Sequence, residues 1–95
     1  MTVVVTSNVA ARFRGFLASC MLEIAPGVYT SPKMTRGIRD RVWVVINDWF
    51  KNEPTGSIVM TWTDSTIASG QGVATLGLPA KELVNYDGIF LVRKE

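Results

Sequence analysis

A chain of 95 residues with nearly half of them apolar has enough material for one domain with one modest core. It contains no histidine, which excludes serine–histidine triads, cysteine–histidine dyads and histidine-ligated metals. The net charge of +2 is uneven: residues 1–41 carry six basic and two acidic side chains, residues 42–95 four basic and six acidic. A basic N-terminal half is what an electrostatic footprint for nucleic acid looks like, although solvated helix faces produce the same pattern.

Val3, Val4 and Val5 form a β-branched run that reads as a short strand buried on both faces. Asn8, or failing it Ser7, is placed to cap a following helix. Phe13, Phe16, Leu17, Cys20, Met21 and Ile24 then recur at helical spacing, predicting a first helix that reaches Ile24. Two features of this helix stand out. Arg12 and Arg14 occupy its first turns, where the dipole disfavours cations, and Gly15 inside it costs about 1 kcal/mol relative to Ala. Misplaced cations beside a bare backbone point to a site for an anion. Plain solvated surface charge is the competing reading.

Ala25-Pro26-Gly27 breaks the pattern, and Val28 to Thr30 is a short strand candidate. Ser31 as cap and Pro32 at the first helical position open a second helix. Its inward stripe is Met34, Ile38, Val42, Val45, Ile46 and Trp49, with Lys33, Arg36, Arg39 and Asp40 on the other side. Glu53-Pro54-Thr55-Gly56 ends it. Ser57 to Thr63 is a strand, Asp64 to Gly72 a polar hairpin loop, and Val73 to Leu78 a return strand. Residues 79–82 read as a turn or short helical turn. Asp87-Gly88 is a turn signal, and Ile89, Phe90, Leu91 and Val92 form a last apolar strand.

The expected order β-α-β-α-β-β-β describes a single domain over residues 1–95. It is an α+β sandwich of ferredoxin-like type, with two helices on one face of a mainly antiparallel sheet. Val59, Ala74, Leu76 and Leu78 are assigned to the opposite face. That face is too apolar for water and is expected to meet a second copy across a two-fold axis. The C-terminal segment 88–95 is read as a strand and short tail for dimer or partner docking. Cys20, the only cysteine, is read as a small buried hydrophobe. Lacking an intrachain disulfide, a signal-peptide pattern and a long apolar run, the chain is expected in the cytoplasm, with no membrane partner.

The ordered motifs VVVT-x-N-V-x-x-R-x-R-G (Val3 to Gly15), LE-x-x-x-GVY (Leu22 to Tyr29), IR-x-x-x-W (Ile38 to Trp43), VM-x-W (Val59 to Trp62), GL (Gly77-Leu78) and DG-x-x-LV (Asp87 to Val92) cover nearly the whole chain. Together they resemble the CRISPR-associated protein 2 family in its subtype I-E form. The resemblance implies a ferredoxin-like homodimer that acts in spacer acquisition. Such a dimer bridges CRISPR integrase subunits and binds a duplex prespacer while the integrase performs strand transfer. Arg12 and Arg14 match the family's paired, phosphate-gripping arginines. The family's second basic pair is represented here by Lys81 alone. The C-terminal strand, Ile89 to Val92, matches the segment that docks the integrase. The family also carries a metal-dependent endonuclease label, resting on an acidic residue at the end of strand one. Ser7 stands at that position here, and a hydroxyl is a poor ligand for a hard divalent cation.

Three functions follow. The first is a DNA-binding scaffold without catalysis or cofactor, using Arg12, Arg14 and Gly15, with Lys33, Arg36 and Arg39 extending the track. The second is a magnesium-dependent nuclease, for which Asp64 and Asp87 are scattered loop carboxylates better explained as turn formers. The third is a generic ferredoxin-like interaction or sensing module, which the fold alone permits.

Overall fold

The computed structural model describes residues 1–77 together with the strand segments 82–86 and 89–93. The elements are β1 (Thr2–Ser7), α1 (Ala11–Cys20), β2 (Leu22–Ala25), β3 (Val28–Ser31), α2 (Arg36–Asn52), β4 (Ser57–Thr63), β5 (Gln71–Leu76), β6 (Glu82–Tyr86) and β7 (Ile89–Arg93). Five strands form one sheet in the order β2-β3-β1-β4-β5, and every neighbouring pair is antiparallel. Because β3 separates β1 from β2, and β1 separates β3 from β4, each strand–helix–strand unit is split by one inserted strand. This is compatible with a ferredoxin-like sandwich extended by β5. No helix among the described residues is long and apolar enough to cross a membrane.

One core lies between the helices and the sheet. It comprises Val4, Phe13, Leu17, Met21, Tyr29, Val42, Ile46, Ile58 and Met60. Trp49 closes it at one end, edge-on to Phe13 at 5.8 Å and to Phe16 at 5.3 Å between ring centroids. These tilted pairings are the ones aromatic quadrupoles favour.

Several expectations change. β1 is buried on one face only: Val4 is fully covered, whereas Val5 is 42% exposed. α1 ends at Cys20 and not at Ile24. Met21 is already extended, yet its N–H still reaches the Leu17 carbonyl at 2.8 Å. Leu22 to Ala25 then pairs with β3 across the Pro26-Gly27 turn, and those ladder bonds outcompete another helical turn. Ile24 is consequently 60% exposed, and Cys20 is exposed rather than buried.

The helix starts also move. Asn8 does not cap α1. It adopts a left-handed conformation at φ 56° and turns the chain toward a helix whose N-cap, Ala10, has no side-chain hydrogen bond. The cap of α2 is Thr35, which accepts from the Ile38 N–H at 3.3 Å, in place of Ser31. Ile38 itself stays largely exposed in the first turn.

The assignment of sheet faces is corrected as well. Ala74 lies opposite Met60 and Leu76 opposite Ile58, and directly opposed residues share a face. Ala74 and Leu76 therefore belong to the helix side. The uncovered face carries two cross-strand rows. One runs Leu22, Thr30, Val3, Thr61, Val73 and the other Ala25, Val28, Val5, Val59, Thr75. Leu78 lies outside the described residues. The last strand is not alone either: β7 pairs with β6, Tyr86 opposite Ile89, in a separate two-stranded sheet.

Two glycines make opposite predictions. Gly56, at φ +81°, leaves no room for a Cβ, which would clash with the Ser7 carbonyl and the Asn8 backbone. Gly15 has nothing within 4 Å of its Cβ position. In urea unfolding, Gly56→Ala is expected to cost at least about 2 kcal/mol. Gly15→Ala is expected to stabilise by up to about 1 kcal/mol. Equal midpoints for the two variants would contradict this packing.

Candidate functional site

The N-terminus of α1 has neither a side-chain cap nor an acidic residue in its first turn; the Phe13 N–H donates to the Ala10 carbonyl at 3.1 Å, and the N–H groups of Ala11 and Arg12 are left at the positive dipole end. Arg12 and Arg14, two positions apart, diverge by about 200° around the helix. Each meets a different part of the fold.

Arg12 faces the C-terminal end of α2. Its guanidinium carbon sits 4.6 Å from the Trp49 ring centroid and 5.7 Å from that of Phe13. Its Nε lies 3.5 Å from Oε1 of Glu53, the residue just past the last turn of α2. Both charges are on the wrong helix end, a cation at an N-terminus and an anion at a C-terminus. Pairing offsets part of each penalty. Both side chains remain nearly half exposed, so the ion pair itself is worth at most about 1 kcal/mol.

Arg14 points to the other side. With Thr6, Asn8, Val9, Pro26 and Gly27 it lines a polar cleft of about 340 Å³ between the end of β1, the start of α1 and the β2–β3 turn. That turn is fastened from two directions. The Thr6 N–H and hydroxyl donate to the Gly27 carbonyl at 2.7 and 3.1 Å, and the Gly27 N–H donates to Glu23 Oε2 at 3.1 Å. Beneath it the Tyr29 hydroxyl is buried and completes no hydrogen bond. Burial raises its pKa, the Glu23 carboxylate adds to the rise, and Arg14 partly opposes it. Gly15 is exposed beside both arginines.

The expected extension of this basic surface is not continuous on one chain. Arg36 and Arg39 lie near the N-terminal end of α2, whereas Arg12 meets its C-terminal end at Trp49. Trp49 lies 13 positions beyond Arg36 along the helix, a span of about 20 Å. Lys33, just ahead of α2, is exposed. Arg36 is exposed beside Asp40, with Nε 4.0 Å from Oδ2. Arg39 does not face solvent as expected. Its side chain is 13% exposed, its guanidinium lies 4.4 Å from the Trp62 ring centroid, and Nη2 is 3.6 Å from Asp40 Oδ1. Lys81 and Asp87 lie outside the described residues, as do the side chains of Ile89, Phe90, Leu91 and Val92.

Ser7 is exposed on the uncovered sheet face, opposite Ser57. Asp64 holds its own loop: one oxygen accepts from the Thr66 hydroxyl at 2.6 Å and the Thr66 N–H at 2.9 Å, and these bonds lower its pKa. Among the described residues no three His, Cys, Asp or Glu side chains gather where they could hold a metal ion. Glu53 and Trp49, which shape the Arg12 environment, pass in the sequence for a helix terminator and a core residue. The signal that could have linked them to Arg12 is that Glu53 is as misplaced at its helix end as Arg12 is at its own.

Fold and site together define a small α+β domain that offers diverging arginines and bare backbone at an uncapped helix N-terminus. A family model described as "CRISPR-associated protein (Cas_Cas2CT1978)" matches residues 1–91. The chain belongs to this CRISPR-associated protein 2 family.

The contrast between the two α2 arginines is measurable. Arg39→Ala removes a stacked, largely covered side chain and is expected to cost about 1–2 kcal/mol in urea unfolding. Arg36→Ala should stay within about 0.5 kcal/mol of the starting protein. Equal losses would show that the Arg39–Trp62 stack contributes nothing.

Proposed function

We propose that the protein is a non-catalytic scaffold for CRISPR adaptation, of the subtype I-E form. In this reading it dimerises, bridges integrase subunits and holds a duplex prespacer by its phosphates in the cytoplasm. The observation that carries the reading is the open N-terminus of α1 with Arg12, Arg14 and Gly15 around it. A helix glycine with no neighbour within 4 Å weakens the helix without relieving any crowding inside the chain. It makes sense where a polyanion backbone comes close. Phosphate contacts need cations and N–H groups but no base readout, and this surface offers those alone.

A second copy is supported by the uncovered sheet face, where Leu22, Val3, Val73, Val28, Val5 and Val59 form two apolar rows broken by threonines. Two copies would supply four arginines to one duplex. The β6–β7 pair supports a docking role. A two-stranded sheet is marginal alone, and the sequence Ile89-Phe90-Leu91-Val92 needs an apolar partner. Lys81 is proposed as a further phosphate contact. The scaffold is favoured over a nuclease because Ser7 stands where the family's acidic residue is expected and because Asp64 is committed to its own turn.

Two measurements test the proposal. Light scattering at micromolar concentration should give the mass of two chains, and a single-chain mass would overturn the dimer. A labelled duplex incubated with magnesium or manganese should be bound and recovered intact. Cleavage that disappears in Asp64→Asn or Asp87→Asn would overturn the non-catalytic assignment.

A further inference from the structure

We infer that Glu53 is a built-in competitor for the phosphate site, acting through Arg12. The inference rests on the proposed phosphate-binding role of Arg12. The carboxylate reaches the guanidinium at 3.5 Å from a position that the fold holds firmly. The Glu53 N–H is bonded to the Trp49 carbonyl at 3.0 Å, its carbonyl accepts from the Thr55 N–H at 2.8 Å, and Gly56 is wedged against Ser7 and Asn8. Arg12 is held separately by the faces of Trp49 and Phe13. Glu53 is therefore not needed to orient it.

A phosphate that takes Arg12 must displace this carboxylate or sit beside it as a like charge. Either way Glu53 subtracts from each Arg12–phosphate contact. An isolated anion gains one such weakened contact and little else. A duplex that spans several cations at once outweighs the subtraction. Glu53 thus raises the number of cations a ligand must engage at once in order to bind.

The test is a double-mutant cycle in the full chain, reading affinity for a labelled duplex at several salt concentrations. Glu53→Gln keeps an acceptor for Arg12 and removes the charge. It should tighten binding roughly threefold to tenfold, the scale of two released exposed ion pairs. It should also steepen the salt dependence, because no liberated carboxylate recovers a counterion on binding. In an Arg12→Ala background the gain should vanish. Tighter binding of equal size in both backgrounds would show general repulsion and overturn the inference, and so would weaker binding by Glu53→Gln. If Arg12→Ala alone leaves duplex binding unchanged, the phosphate-site reading itself fails, and this inference with it. If Arg12→Ala weakens binding while Glu53→Gln has no effect, only the competitor role is lost.

Discussion

The geometry of the candidate site depends on a backbone contact made without side chains. Gly56 sits against the Ser7 carbonyl and the Asn8 backbone, and Gly77 sits against Gly56. The end of β1, the entry to β4 and the exit from β5 are drawn together more tightly than any Cβ allows. Both glycines hold φ near +80°, and Asn8, at φ 56°, tolerates the left-handed region unusually well for a residue with a side chain. This junction fixes where α1 begins and where α2 has ended. It therefore sets Arg12 beside Glu53 and Arg14 beside the β2–β3 turn.

From that placement the electrostatics follow. α1 begins with no capping side chain and no acid, and α2 ends with an acid just past its last turn. Taken singly, Arg12 and Glu53 each oppose a helix dipole. Taken together, they cancel locally while leaving the first N–H groups of α1, those of Ala11 and Arg12, without a side-chain cap. Arg14 has no such carboxylate at salt-bridge distance among the described residues, so the two arginines of the motif are unequal in the free protein.

Much of this is legible in the sequence, and the losses have identifiable causes. Helical spacing correctly identifies Phe13, Leu17, Val42 and Ile46 as core, because a period near 3.6 sustained over several turns marks one buried helix face. The same spacing carries α1 too far. Met21 and Ile24 keep the period although Met21 is already extended, and only the pairing of Leu22 to Ala25 with β3 settles the matter. Ala74 and Leu76 go to the wrong sheet face because alternation within one strand says nothing about which face it shares with its neighbour. Register decides that. Arg12, Arg14 and Gly15 show up as anomalies against helix rules. Glu53 escapes notice because its partner is 41 positions away, beyond any local pattern.

In the proposed scaffold the arginines of α1, in two copies, hold a duplex by its phosphates. Salt dependence tests this most directly, since each neutralised phosphate contributes about 0.9 to the slope of log K against log[salt] on duplex DNA. With all four arginines engaged, Arg12→Ala combined with Arg14→Ala should flatten that slope by roughly 1.8 to 3.6, the lower figure if each Glu53 released from Arg12 takes up one counterion, for any duplex sequence and with the dimer intact. An unchanged slope, or a loss confined to one sequence, would contradict the scaffold as proposed and move the DNA to another surface, such as Lys33 and Arg36.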